Sequence, residues 1–330
     1  MKLPWPLYLA WKQLFPSQKK VSFFSLLAVI GVALGVNVMI VVVVFMQGFQ
    51  EKFRNDIIDA QGHGRIVPWK SSGNWQEKKE RMEEFPFIEH LMPYLQGRVI
   101  LQKGNYNSTP YSMGITPTAD NPVFDINSFL KGGALKMNAH EAVDITPLPT
   151  VDTLEDEVVF ISTQVANQLG VRPPAIIQFH DRNQSADLPK GQIAITRLDP
   201  FVESGEWKIL FTSDQDFVIR DGESGEEFNA TLSDGPIDRG LGIPVFHPLG
   251  KGEPFQKGDL FRFQVLKGST IEVFFPAMVT KAKEDEIIPP REVRVGGIFE
   301  VPWQGFHTEA LIGTMRFMQD MRGGEGAVDG

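Results

Sequence analysis

The sequence of 330 residues contains no cysteine. That excludes disulfides, cysteine-ligated zinc and a thiol nucleophile, and leaves the compartment open. It also lacks a basic excess: 32 Lys and Arg stand against 41 Asp and Glu, a formal net charge of −9. There is no basic stripe beyond the first twenty residues, so a nucleic-acid backbone is excluded as the main partner. No phosphate-binding loop is present. The stretch "GKGEP" at Gly250 has neither the preceding glycine at the required spacing nor a Ser or Thr after the lysine. The six histidines (His63, His90, His140, His180, His247, His307) are scattered, with no pair at helical spacing and no HExxH. No G-x-S-x-G occurs. His180-Asp181 is an isolated dipeptide, and the acidic runs Glu155–Glu157 and Glu284–Glu286 read as solvated faces. Neither catalytic nor metal-binding residues are assigned.

What is present is segregated. Val21 to Met46 is 26 residues without a charge. As a helix it would be about 39 Å long, against a bilayer hydrocarbon core of about 30 Å, so it spans with length to spare. A secretory signal has a shorter apolar region followed by a small-residue cleavage site. Here the run ends in Val-Phe-Met-Gln-Gly-Phe, which predicts an uncleaved transmembrane helix over 21–46. Lys2, Lys12, Lys19 and Lys20 precede it without an acidic residue, whereas Lys52, Arg54 and Arg65 are offset by Glu51, Asp56 and Asp59. The excess of Lys and Arg places the N-terminus in the cytoplasm and the remainder outside it.

Residues 1–20 form a cytoplasmic amphipathic segment. Leu7, Tyr8, Trp11, Leu14 and Phe15 share one helical face, suited either to the inner membrane surface or to packing in a bundle. Beyond the membrane, Phe49, Phe53 and Ile57 recur at i, i+4 and i+8. The helix should therefore continue as a stalk over 47–60, ended by the glycines of "QGHG".

The rest, 61–330, reads as a strand-dominated α+β domain. A first lobe is expected at about 61–120 plus 285–330, and a middle lobe at about 121–284. Strands are predicted at 65–69, 88–94, 97–101, 111–115, 158–161, 176–179, 192–196 and 310–312, with charged helix at 74–84 and loop at 137–156. "TQVANQLG", capped by Ser162 or Thr163 and closed by Gly170, is a short helix. A second, 315–321, follows Thr314 as its cap. The stretch 199–254 and the segments "KGDLFRFQVL", "TIEVFFPAMV" and "REVRVGGIFEV" are β-rich.

Within the membrane helix, Gly31 and Gly35 form G-x-x-x-G, which admits close approach of another helix. Asn37 is a polar side chain near mid-helix, better placed against a neighbouring helix than against lipid. A plain anchor requires neither.

The stretch "AWKQLFPSQKKVSFFSLLAVIGVALGVNVMIVVVVFMQGFQEKFRNDIIDAQGHGRI", with its "GVALGV" core and its Met46-Gln47-Gly48-Phe49 junction, resembles the N-terminus of lipoprotein-releasing ABC transporter permeases. These are of the LolC/LolE type, within the MacB/FtsX-like permease superfamily. "VVFISTQVANQLGV", "VRVGGIFEV" and "ALIGTMRFMQDM" carry shorter matches. The resemblance implies a membrane-anchored α+β protein of the bacterial inner membrane. It would have one transmembrane helix extended as a stalk and a two-lobed MacB-like periplasmic domain. It further implies a non-catalytic subunit with no cofactor of its own, since ATP and Mg would be bound by a cytoplasmic ABC ATPase dimer. The other implied partners are a second permease subunit, membrane lipids, a lipoprotein substrate and a periplasmic carrier. Carried over by position, the residues lining a lipid-receiving cavity and stalk are Val42, Met46, Phe49 and Phe53. Permeases of this type have three more membrane helices after the periplasmic domain. A fragment or a degenerate paralogue is accordingly expected, and 184–254 is longer than the family's middle lobe. Other readings remain: MacB-like export of another substrate, FtsX-like regulation, a single-span anchored binding module, or an anchored enzyme.

Overall fold

The computed structural model describes residues 4–14, 23–66, 75–117, 123, 125–131, 142–179, 192–195, 197–222, 224–234, 246–249, 255–275, 289–300 and 308–322. The chain divides into two compact units, Met1–Ile58 and Asp59–Gly330.

The first unit is helical. Helix α1 spans Trp5–Leu14, with Trp5, Tyr8 and Trp11 exposed and the Trp5 and Tyr8 rings stacked at 6.3 Å. Helix α2 runs unbroken for 39 residues, Phe23–Gln61, about 58 Å at 1.5 Å per residue. Gln47-Gly48 does not interrupt it, and Gly62 ends it at φ 72°, a left-handed conformation that glycine adopts without steric cost.

The second unit is a mixed α+β domain with two main sheets. Helix α3, Trp75–Glu83, precedes a long hairpin. One arm is β1 (Leu95–Arg98) with β2 (Ile100–Lys103), and the other is β3 (Tyr106–Ser108) with β4 (Tyr111–Ile115). Both halves keep one register, Leu101 opposite Ser108 and Arg98 opposite Tyr111. At the interruption, Val99 N–H donates to the Pro110 carbonyl. The remaining strands of this sheet are β5 (Leu130–Lys131), β7 (Val158–Ser162), β15 (Thr270–Phe274), β16 (Arg291–Phe299) and β17 (Ala310–Thr314). β17 pairs with β4 and β7, β7 with β16, β16 with β15, and β15 with β2. Because β2 and β1 belong to one arm of the hairpin, the pairings form a closed circuit. Helices α4 (Thr163–Leu169) and α5 (Met315–Arg322) bury Val165, Leu169, Phe317 and Met318 against Leu95, Leu101, Val159, Ile271, Val295 and Leu311 on one face. Ser162 caps α4 by accepting from Val165 N–H, and Gly170 closes it at φ 59°. Phe317 N–H donates to Thr314 Oγ1 at the start of α5.

The second sheet is antiparallel and has six strands among the described residues. Its order is β12 (Glu227–Thr231), β11 (Asp216–Asp221), β10 (Gly205–Phe211), β14 (Leu260–Leu266), β8 (Ala175–Phe179) and β6 (Ala142–Asp144). One face holds a phenylalanine cluster in which the Phe211 and Phe255 rings stack at 4.2 Å. A pair of strands, β9 (Gln192–Ile195) and β13 (Phe246–Leu249), stands apart.

Three expectations change. Residues 88–94 are not strand; the apolar alternation there yields to Pro93, and pairing starts at Leu95. The loop expected at 137–156 contains β6, whose Asp144 pairs with Ile177. A lobe boundary drawn at 121 and 284 cuts through the first sheet, because β7 is paired on both sides within it and β15 bridges β16 and β2. The strand expected at 65–69 is not strand at Arg65 and Ile66 and otherwise lies outside the described residues, as do His180-Asp181 and Glu284–Glu286.

The Gly296-Gly297 pair has a local cause. β16 carries a bulge between Val295 and Gly297 as it runs parallel to β7. The extra residue resets the alternation, so that Val293, Val295 and Ile298 all pack on the helix-covered side. A Cβ on Gly296 would lie 2.4 Å from Val158 Cγ1. The two sheets meet at Ser269: its N–H donates to the Arg172 carbonyl, its carbonyl accepts from Val295 N–H, and its hydroxyl accepts from Arg172 N–H and Lys103 Nζ. Beside it, Glu203 bonds Arg294 of the first sheet at 2.7 Å and Lys267 at 3.2 Å. These hydrogen bonds, from Arg294 first and then Lys267, hold the Glu203 carboxyl below its ordinary range.

Gly296→Ala should destabilise the domain by about 1–3 kcal/mol through overpacking against a branched side chain, read by chemical unfolding of the full chain in detergent. A carboxylate with a lowered folded-state pKa stabilises above its ordinary range and loses that contribution as pH falls through the lowered value. Glu203→Gln should therefore be less stable than the parent at neutral pH, with the gap closing in acid. Parallel unfolding curves across pH would show the opposite.

Candidate functional site

In α2 every large apolar side chain described from Leu26 to Phe53 is exposed within the chain. The helix is long and apolar enough, over Leu26–Ile58, to cross a membrane. Burying that much hydrocarbon requires a non-aqueous solvent, since nothing in its own unit covers it.

Helical geometry sorts the residues singled out from the sequence. At about 100° per residue, Gly31, Gly35, Val42, Met46, Phe49 and Phe53 fall within about 60° of one another and make a single stripe. It starts bare: a Cβ added to Gly31 or Gly35 would meet no atom within 4 Å. It ends aromatic, with the Phe49 and Phe53 rings stacked at 6.0 Å and 12°. Val42, Met46, Phe49 and Phe53 are 53, 50, 57 and 43% exposed, so the stripe is open along its whole length. Asn37 does not share it. Two residues beyond Gly35, it lies about 200° away on the opposite face. The glycine pair and Asn37 thus occupy two different sides of the helix. The offset was readable in the sequence, but grouping the features by proximity along the chain concealed it.

The glycines and the aromatics therefore lie on one continuous surface that crosses from the charge-free run into the segment carrying Glu51, Lys52, Arg54 and Asp56. Among the described residues, no group of three His, Asp or Glu side chains could hold a metal ion.

Comparison with known proteins places this geometry. Residues 25–178 match the family model described as the MacB-like periplasmic core domain, a stretch that runs from α2 through β8 and takes in the hairpin, β7 and α4. The lipoprotein-releasing system transmembrane protein LolC of Xylella fastidiosa (strain Temecula1 / ATCC 700964) is 27% identical over 116 residues, 35% of this chain and 28% of that protein. LolE of Haemophilus influenzae is 24% identical over 133 residues, 38% and 32%. LolC of Neisseria meningitidis serogroup B is 25% identical over 113 residues, 34% and 27%. The similarity thus spans about three tenths of each relative's own length. It is distant and partial: the long apolar helix followed by a two-sheet α+β domain is consistent with a MacB-like periplasmic domain, and part of the chain is similar to LolC/LolE permeases.

Proposed function

We propose that the chain acts as a permease subunit of an ABC transporter in the bacterial inner membrane, with its N-terminus cytoplasmic and its α+β domain periplasmic. Its task is to draw lipoproteins from the outer leaflet and pass them to a periplasmic carrier. ATP and Mg are bound and consumed by a separate cytoplasmic ATPase dimer, and a second permease subunit completes the membrane part.

The observation that carries this reading is the unbroken stripe on α2. A passive anchor needs apolar residues all round and no particular face. Here two bare glycine positions, an open apolar middle and a stacked aromatic end are aligned through a helix that does not break where it leaves the apolar run. In a membrane, close approach at small residues drives helix association by packing. The upper half, Val42 to Phe53, then presents a ribbon of hydrocarbon and aromatic surface on which acyl chains can lie. An uninterrupted helix transmits displacement along its axis, so movement imposed at the cytoplasmic end by the ATPase reaches the domain beyond. The similarity to lipoprotein-releasing system transmembrane proteins LolC and LolE supports lipoproteins as the cargo.

A photo-crosslinking residue in place of Met46 or Phe49, in the assembled complex, should capture a lipoprotein's acyl chains. Labelling no stronger than at Ser25 would leave a single-span anchored module as the better reading. Gly35→Leu should disrupt co-purification with the second permease subunit. Asn37→Leu, on the other face, should leave that contact in place and weaken a different one, read as a separate change in crosslinks between engineered cysteine pairs.

A further inference from the structure

The first sheet ends in a groove that the transport reading does not use. Strands β4 and β17 run parallel and in register to Ile115 and Thr314. Strand β7 is antiparallel to β17, so it begins at the same end, just after Glu155–Glu157. Between these strand ends, the first turn of α5 and the turn at Phe201 lies an open groove of about 710 Å³, within the size range of ligand sites.

Its floor is apolar: half-buried Pro117, Phe201 and Met315 line it, above Ile115 and Leu154, which are buried in the core beneath. Its wall is held in place. The Arg294 guanidinium sits 5.2 Å from the Phe201 ring centroid and bonds Glu203, and Phe201 N–H donates to Asp199 Oδ1 at 2.7 Å. Of the three acidic residues lining it, Asp156 is committed to the structure. It accepts from Thr314 Oγ1 at 2.6 Å and lies 3.6 Å from Arg316 Nε. Glu155 and Glu157 are exposed, line the groove, and form no ion pair with any described residue. The acidic run read as a solvated face thus divides by role, with one carboxylate anchoring α5 and two standing free over an apolar floor.

We propose that this groove docks an extended segment of a partner protein. An apolar side chain of that segment rests against Pro117, Phe201 and Met315, and a lysine or arginine lies against Glu155 and Glu157. Charge complementarity selects the occupant. Two carboxylates repel an anionic leaflet and acidic peptides, whereas a long basic side chain lays its methylenes on apolar surface while its head meets the rim. The groove is open along one side, as a chain that enters and leaves requires. A wall already fixed by Arg294, Asp199 and Thr314 saves ordering cost on binding. This surface is independent of α2, so the proposal stands or falls apart from the lipoprotein reading.

The test uses the full chain in nanodiscs of zwitterionic lipid and a short fluorescein-labelled peptide alternating leucine with lysine, followed by polarisation. Saturable binding is expected, at least about fivefold weaker in Glu155→Gln/Glu157→Gln and at raised salt. It should be unchanged in Glu80→Gln/Glu83→Gln on α3. The charge-reversed Glu155→Lys/Glu157→Lys chain should instead prefer the same peptide with glutamate in place of lysine, a gain that loss of fold cannot produce. Equal affinity for the glutamine form of the peptide, or no effect of the double substitution, overturns the proposal. So does a result in which dodecyltrimethylammonium binds with this dependence on Glu155 and Glu157 and the lysine peptide does not.

Discussion

Strand β16 is the constraint on which the rest of the domain depends. Its nine residues pair with β15 along the first half, with β5 at the far end, and with β7 along the opposite side. Those partners come from widely separated parts of the sequence, and β16 is the strand that all three share. Its bulge at Gly296 lets one strand serve two requirements that a regular strand could not. Val293, Val295 and Ile298 all face the helices, while Arg294 stays on the other side to reach Glu203 and Phe201. The Ser269 contact with Val295 then ties the second sheet to this same strand.

The membrane part obeys a different physics. In α2 nothing within its own unit covers the apolar surface, so specificity cannot come from burying hydrophobic area, which lipid would accept equally well. It has to come from shape and polarity: the bare patches at Gly31 and Gly35, the amide of Asn37 on the reverse face, and the aromatic end at Phe49 and Phe53. These features lie on opposite faces of α2, the glycines and aromatics on one and Asn37 on the other.

Much of this was legible from the residues. The charge-free run and the i, i+4 series through Phe49, Phe53 and Ile57 announce one long helix because helical period and hydropathy are local properties. The Ser162 and Gly170 caps, and Thr314 before α5, are likewise local. The main stretch behind the resemblance to LolC/LolE permeases, residues 10–66, overlaps the start of the stretch 25–178 that the MacB-like family model matches. What was not legible depends on distant pairing. That β7 belongs with the hairpin's sheet, and not with β6 and β8 around it in the sequence, is decided by β16 and β17, more than a hundred residues away. Asp144 could become strand only because Ile177 lies beside it. The division of labour among Glu155, Asp156 and Glu157 required knowing that Thr314 arrives next to Asp156.

The closed circuit of pairings also governs how this domain behaves among its copies. An open sheet offers two rows of unsatisfied backbone groups to any neighbouring strand. Among the described residues of the first sheet, the short segments β1, β3 and β5 keep an unpaired side, and Ser108 of β3 is bonded to Gln168 of α4. The second sheet has a true edge at β12, where Glu227 is engaged by Arg220 and a charge guards the exposed row. Copies of the domain that meet side by side thus find few bare strand edges to pair with, which disfavours strand exchange between them.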